Sequence, residues 1–176
     1  MSVTLVPLYP EAELQRRVAE LAAEISRIYA DTGVVAIVVM NGGLFFASDL
    51  LRHITAPVMV DSIAAGSYLH HASTGSVNVR GGQKLDPKGR HILLIDDILD
   101  TGLTLARLRE KFLADGAASC RTCVLIDKEL PPERKMIRAD WYGFQSPNEY
   151  LVGFGMDSDE LYRNLPNICI FREDPA

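Results

Sequence analysis

Three carboxylates and a loop of small residues occur together in residues 92–104, which read ILLIDDILDTGLT. Asp96 and Asp97 directly follow an apolar run, and Asp100 precedes a Thr/Gly/Thr turn. Ionised carboxylates accept hydrogen bonds and bind hard cations, and a glycine-containing turn lets backbone N–H groups approach a phosphate. The segment predicts an oxygen-rich, phosphate-sized pocket, although its local pattern fits an ordinary acidic strand end with a helix cap equally well.

The segments around these acids predict how they are positioned. Residues 92–95 are all apolar, which is typical of a central strand buried on both faces of a parallel sheet. Because buried carboxylates need partners, Asp96 and Asp97 are expected at the carboxyl end of that strand, where α/β folds bind ligands. Apolar residues at helical spacing follow, so the 101–104 loop should lie at the positive N-terminal end of a helix.

Strands and helices alternate along the rest of the chain, which predicts a mainly parallel α/β sheet. On the first helix, apolar residues recur at spacings of three and four and predict its buried face: Leu14, Val18, Leu21, Ile25 and Ile28. Residues 66–91 lack such periodicity and predict a long flexible excursion or an extended hairpin. The other expected elements are helices at 10–30 and 44–53 and strands at 34–40, 58–61, 122–126, 141–144, 150–153 and 168–171.

The composition bounds the function classes. A chain of 176 residues is expected to form one domain. Its formal net charge of −5 argues against a nucleic-acid partner. Neither a signal peptide nor a membrane-spanning run is expected, so we predict no membrane partner and a cytoplasmic location.

The chain contains one cysteine pair and one histidine pair that could form a metal or redox site. Cys120 and Cys123 have redox-type spacing, but they lie at the start of an expected strand. Buried free thiols are therefore favoured over a zinc site, which would need more ligands. His70 and His71 lie inside the 66–91 excursion and are expected to be an exposed loop pair.

Four separated segments resemble a known family in their order and spacing. They make the chain similar, over residues 33–171, to the purine phosphoribosyltransferases of type I fold, in particular the hypoxanthine-guanine phosphoribosyltransferases. The segments are MNGGLFFASDL at 40–50, Ser67 and Tyr68 with STG at 73–75, residues 92–104, and DK at 127–128 continuing through YLVGFGMD at 150–157 to YRNLP at 162–166.

This resemblance implies both a fold and a reaction. The fold is a five-stranded, mainly parallel sheet flanked by helices, within one domain (1–176) whose small hood is formed by N-terminal residues and about 145–171. The reaction is purine salvage, in which phosphoribosyl pyrophosphate and a 6-oxopurine, hypoxanthine or guanine, give IMP or GMP and pyrophosphate. Magnesium is the implied cofactor, and a homodimer or homotetramer the implied assembly.

The resemblance assigns the ribose and phosphate contacts to the acidic segment. Asp96 and Asp97 would accept hydrogen bonds from the ribose hydroxyls and support magnesium. Asp100 would act as the proton acceptor at the purine N7. The implied 5-phosphate loop consists of Asp100, Thr101, Gly102, Leu103 and Thr104.

The base and metal contacts are assigned to later residues. Lys128 would donate to the exocyclic O6, a contact that the amino group of adenine cannot accept. Tyr150 would stack on the purine beside Leu151, which would add backbone contacts. Asp157 would hold a second magnesium through water, and Arg163 would help to bind pyrophosphate. Taken singly, these charged residues also fit solvated surface groups.

Two further matches concern pyrophosphate and water. Asn41 and Gly42 match the pyrophosphate-binding turn, where many relatives carry Lys or Arg before the glycine. The missing charge would then be supplied by backbone N–H groups, Arg163 or metal. Ser67 and Tyr68 match the start of a mobile catalytic loop, whose closure would exclude water from the reacting ribose.

Two alternatives differ from this enzyme. A catalytically weak regulatory protein of the same fold would bind phosphoribosyl pyrophosphate or nucleotide without useful turnover, but the presence of Asp100, Lys128 and Asp157 argues against it. A signalling receiver domain also places an acidic pair at a strand end, yet it does not account for the DTGLT loop.

Overall fold

A computed structural model describes residues 2–64 and 84–173 of the chain. The helices in this part are α1 (Glu11–Tyr29), α2 (Gly43–His53) and α3 (Leu103–Ala114). The strands are β1 (Val3–Tyr9), β2 (Val34–Met40), β3 (Val58–Ala64), β4 (His91–Leu99), β5 (Ser119–Lys128), β6 (Trp141–Ser146), β7 (Leu151–Val152) and β8 (Ile168–Glu173).

A five-stranded sheet forms the centre of the molecule. Its strands lie in the order β3-β2-β4-β5-β6, and each neighbouring pair is parallel. In β2 the even-numbered residues from 34 to 38 join the core formed with α1 and α2, whereas the odd-numbered residues from 35 to 39 join the core formed with α3. The predicted parallel α/β sheet with flanking helices is therefore confirmed.

Helix α1 buries the predicted face with one exception. Four of the five predicted residues, those at 14, 18, 21 and 25, are fully buried, but Ile28 is 48% exposed and Tyr29 is buried instead. The spacing of four residues from Ile25 to Tyr29 keeps Tyr29 over the core, because a helix turns once in 3.6 residues. The prediction for Ile28 is wrong.

Strand β4 is longer than its apolar run. It continues through both acids to Leu99 because the ladder to β5 persists, with Ile98 opposite Ile126 and Leu99 opposite Asp127. The acids therefore lie within the last part of the strand and do not follow its end. Burial on both faces, which was predicted for residues 92–95, extends over Asp96 and Asp97 as well.

A second sheet combines the two ends of the chain in the antiparallel order β1-β8-β7. The sequence patterns did not predict β1. Its residues are exposed or half-buried, and it contains Pro7, which edge strands tolerate because one side of their backbone lacks a neighbouring strand. We call β1, β8 and β7 the small sheet.

The order of the central strands places a crevice at one edge. From β2 the chain continues to β3 on one side, while β4 lies on the other side of β2. Ligands bind α/β sheets at the carboxyl ends of strands where the direction of winding reverses. The turn after β2 and the loop after β4 both lie at this edge.

Two remaining predictions concern membranes and thiols. No helix in residues 2–64 and 84–173 is long and apolar enough to cross a membrane. Cys120 and Cys123 are buried free thiols, as predicted. Burial raises the pKa of both thiols, to about 12 for Cys120, so they are protonated at neutral pH.

Candidate active site

The acidic pair of β4 is buried and hydrogen-bonded. Asp96 and Asp97 are 9% and 8% exposed. The Asp97 N–H donates to Asp96 Oδ1 at 3.0 Å, and the Ile98 N–H donates to Asp97 Oδ1 at 2.9 Å. Burial, followed by the charge of Asp97, raises the pKa of Asp96 well above its usual range, and burial also raises the pKa of Asp97. The pair therefore needs hydrogen-bond donors or a cation for both carboxyls to be ionised.

The loop after β4 leads directly into α3. The side chain of Asp100 is 54% exposed, and Gly102 has a positive φ of 76°, a conformation that glycine adopts without strain. Helix α3 begins at Leu103, so Leu103 and Thr104 belong to its first turn. The N–H groups of that turn have no partners within the helix, which makes the loop suited to an anion.

Lys128 faces this loop from the end of β5. Because β4 and β5 are parallel neighbours, their carboxyl ends meet at the same edge of the sheet. The Lys128 Nζ lies 4.0 Å from Asp100 Oδ2, and the lysine side chain is only 13% exposed. The edge therefore presents one cationic donor and one carboxylate acceptor side by side.

A cavity of about 170 Å³ joins the sheet edge to the segment that begins at Tyr150. The Tyr150 hydroxyl donates to the backbone oxygen of Asp157 at 3.1 Å, and its ring lies 5.5 Å from that of Phe171. Tyr150 is 53% exposed, so its side chain is accessible to a ligand. The cavity is lined by Asp97, Ile98, Lys128, Tyr150, Leu151, Met156 and Asp157.

Two of these lining residues, Ile98 and Met156, were not predicted as site residues. Both stand inside segments that carried the resemblance, but an apolar side chain between polar ones offers no chemical signal of its own. The strand position of Ile98, one residue after the acidic pair, is the feature that places it at the cavity.

Arg163 and Asp157 are joined in the structure. The Arg163 Nη2 lies 2.9 Å from Asp157 Oδ1 and also 2.9 Å from Glu160 Oε2. Its Nη1 donates to the backbone oxygen of Gly155 at 2.8 Å. The guanidinium thus fixes the turn before it. Burial is the main influence on the pKa of Asp97 and raises it, whereas the positive charge of Arg163 lowers it.

The turn at Asn41 and Gly42 is packed between two other parts of the site. The Met40–Asn41 peptide bond is cis. A Cβ on Gly42 would lie 2.2 Å from Asp97 Oδ2, and a Cβ on Gly155 would lie 2.1 Å from the Gly42 oxygen. A side chain at Gly155 would therefore clash with backbone, and one at Gly42 would clash with the carboxylate of Asp97.

Four predicted residues lie outside the described part of the chain: Ser67, Tyr68, His70 and His71. Their assigned roles stay predictions. Among the described residues, no group of three or more His, Cys, Asp or Glu side chains is arranged to hold a metal ion.

Comparison with known proteins points to one family. A sequence model of the phosphoribosyl transferase domain matches residues 8–159. The chain is 41% identical to the hypoxanthine-guanine phosphoribosyltransferase of Bacillus subtilis, over 94% of this chain and 92% of that protein. It is 38% identical to the hypoxanthine-guanine-xanthine phosphoribosyltransferase of Tritrichomonas foetus, over 94% and 91% respectively. A hypoxanthine-guanine phosphoribosyltransferase crystal structure from Bacillus anthracis superposes with a TM-score of 0.86 at 36% identity, covering 97% of this chain and 100% of that chain.

Proposed function

Because the chain belongs to the phosphoribosyl transferase family, we propose that it is a purine-salvage enzyme acting on hypoxanthine and guanine. It transfers the 5-phosphoribosyl group from phosphoribosyl pyrophosphate to N9 of the base. A bond forms between N9 and C1′ of the ribose, the bond from C1′ to pyrophosphate breaks, and the base loses one proton. The products are IMP or GMP and pyrophosphate.

The placement of Lys128 beside Asp100 carries this proposal. A 6-oxopurine presents O6 as an acceptor next to N7 on one edge, and in the free base N7 can carry the proton that is lost. A lysine donor 4.0 Å from a carboxylate acceptor matches that edge. Lys128 would bind O6, and Asp100 would take the N7 proton as a general base. Adenine would present an amino group, which donates, to a lysine that can only donate. The site would therefore have a kcat/KM for adenine lower by a factor of roughly 10⁴.

The rest of the site suits the other parts of the substrates. The buried pair Asp96 and Asp97 would accept hydrogen bonds from the ribose hydroxyls, which supply the donors that the pair needs. The N–H groups of the loop comprising Thr101, Gly102, Leu103 and Thr104 would bind the 5-phosphate. The exposed ring of Tyr150 suits stacking on the purine, and the Leu151 backbone lies next to it.

Magnesium fits this donor set as an ion shared with the substrate. It is held in proteins by one or two carboxylates together with substrate phosphates and water, and two buried carboxyls with raised pKa values favour a nearby cation. Asp157 would hold an ion through water, and Asp96 and Asp97 would support another. When bound, magnesium would neutralise charge on the departing pyrophosphate.

The turn at Asn41 and Gly42, which would bind pyrophosphate, has no basic residue before its glycine. Asn41 and Gly42 would contribute backbone N–H groups, and Arg163 would contribute its charge from across the turn. Ser67 and Tyr68 would begin a loop that excludes water during the reaction. We also propose that the small sheet and about 145–171 form a hood over the base, and that the enzyme is a cytoplasmic homodimer or homotetramer, since its buried thiols suit a reducing compartment.

A substrate panel tests the proposal. Pyrophosphate release is measured with phosphoribosyl pyrophosphate, magnesium and each of hypoxanthine, guanine, xanthine and adenine. We expect turnover with hypoxanthine and guanine and none above background with adenine. Tight donor binding without turnover of any base would instead identify a regulatory protein of the same fold, and turnover of adenine would overturn the role of Lys128.

A further inference from the structure

The segment after Lys128 returns to the phosphate loop along a path fixed by a buried ion pair. It contains a short 3-10 helix, Pro132–Arg134, followed by Lys135. The Lys135 Nζ pairs with Asp127 Oδ1, and the two side chains are only 14% and 10% exposed. By contrast, the lysine and aspartate of the Lys111–Asp115 pair on α3 are 41% and 39% exposed.

The residues directly after Lys135 contact the loop at 101–104. The Met136 N–H donates to the backbone oxygen of Thr101 at 2.7 Å. Ile137 packs beside Gly102, so closely that a Cβ on Gly102 would lie 3.0 Å from Ile137 Cγ1. The conformation of the loop before α3 thus depends on where residues 135–137 are held.

Asp127 stands at the junction of the two binding regions. It precedes Lys128 in β5 and lies opposite Leu99 of β4, the residue before Asp100. An ion pair at this point fixes the returning segment to the strand that carries the base-binding lysine. Buried pairs are weak sources of net stability, because desolvation offsets much of their attraction, so a positional role explains this one better than a stabilising role does.

We propose that Lys135 is a positioning residue for the 5-phosphate: through Asp127 it holds the Met136 N–H against Thr101 and so keeps the phosphate loop in its binding conformation. The inference rests on the proposed assignment of residues 101–104 to the 5-phosphate. It does not depend on which base is used, because the phosphoribosyl donor carries that phosphate whatever the acceptor.

The test compares two ligands that differ by the ribose 5-phosphate portion. Dissociation constants for phosphoribosyl pyrophosphate and for pyrophosphate alone, each with magnesium, are measured by calorimetry. We expect Lys135→Met to weaken donor binding about tenfold, an effect of slight misplacement, while pyrophosphate binding is unchanged. Lys111→Met, which breaks the exposed pair, is the matched control and should leave both constants unchanged.

Further variants separate positioning from folding. Lys135→Met leaves the charge of Asp127 buried and unpaired, which could itself impair folding. The double variant Asp127→Asn with Lys135→Met removes this charge and should show the same loss of donor binding with unchanged pyrophosphate binding. Lys135→Arg should restore donor binding. Met136→Pro removes the N–H itself, and the extended conformation of Lys135 (φ −98°, ψ 125°) is compatible with a following proline.

The outcomes distinguish this inference from the proposed function. The inference is supported if donor affinity falls, with pyrophosphate affinity unchanged, in Met136→Pro and also in Lys135→Met or the double variant. Equal weakening of both ligands, or unchanged donor binding in folded Lys135→Met and Met136→Pro proteins, overturns it. If the wild-type protein binds the donor no more tightly than pyrophosphate, the assignment of residues 101–104 to the 5-phosphate is overturned too. Donor binding without turnover of any base would overturn only the proposed function.

Discussion

The carboxyl edge of the central sheet and the region around the small sheet contribute to the site in different ways. At the central edge, Asp96 and Asp97 are buried in the last part of β4, where the ladder to β5 continues and the ladder to β2 has ended at Ile95. Near the small sheet, Tyr150 is half exposed and Asp157 is held by Arg163 from the following turn. The residues proposed to contact ribose therefore lie on a buried platform, whereas Tyr150 and Asp157, proposed to contact base and metal, lie on a more exposed surface.

The two regions meet at two glycines that leave no room for a side chain. Gly155 approaches the Gly42 oxygen from the turn after β7, and Gly42 in turn lies against Asp97. Lys128 belongs to the central sheet yet lines the same cavity as Tyr150. The site is therefore shared between the regions. Substitutions in the two regions should affect turnover, substrate use and stability to different extents.

The largest effect is expected at Asp100, on the central edge. Asp100→Asn keeps the shape of the side chain but removes the proton acceptor, so kcat should fall by roughly 10²–10⁴, while donor binding changes little. Steady-state kinetics with hypoxanthine and calorimetry with phosphoribosyl pyrophosphate provide the measurements. Asp31→Asn, at an exposed position, serves as the control, and near-normal turnover in Asp100→Asn would remove the assigned role.

A smaller effect is expected at Lys128, where the two regions meet. Lys128→Ala would remove the proposed charged hydrogen bond to O6, so kcat/KM for hypoxanthine should fall between about tenfold and 150-fold. The affinity for pyrophosphate should stay the same. Lys111→Ala, on the surface of α3, should change neither value. An unchanged kcat/KM for hypoxanthine would show that the base lies elsewhere.

The contact between the regions is tested at Gly155. Gly155→Ala places a Cβ against the Gly42 oxygen at a φ of 106°, so it should lower the free energy of unfolding by about 1–3 kcal/mol. Gly89→Ala is a matched control, because Gly89 also has a positive φ, of 70°, but has open space around it. Equal losses in denaturant unfolding would mean that only backbone strain, and not the contact, matters.

The smallest effect concerns the stability of the buried acids. Because the folded state raises the pKa of Asp96 above 3.8, ionisation of this group opposes folding as the pH rises from that value. Asp96→Asn removes this penalty, so calorimetry should show a higher Tm at pH 7, by about 2–4 °C for each kcal/mol of penalty removed, with the gain vanishing below about pH 3.8. Catalysis should nevertheless weaken. A Tm that falls at pH 7 would contradict the stated effect of burial.

Much of the platform was determined by local sequence. The apolar run at 92–95 requires burial on both faces and so predicts a central parallel strand. Alternating elements predict the α/β sheet, and the glycine-containing turn predicts a helix N-terminus beside the acids. These features depend on residues close together in the chain, where periodicity and turn chemistry act directly. Family resemblance then supplied roles that no single residue pattern implied, such as O6 recognition by Lys128.

Tertiary structure decided what depends on distant pairing. Strand β1 forms because β8, from the other end of the chain, provides its neighbour. The extension of β4 through Asp96 and Asp97 depends on its ladder with β5. Likewise, the 4.0 Å approach of Lys128 to Asp100 and the support of Thr101 by Met136 arise where separate segments meet at one sheet edge. A sequence specifies its local preferences, but contacts between distant segments exist only once packing has fixed the strand order and register.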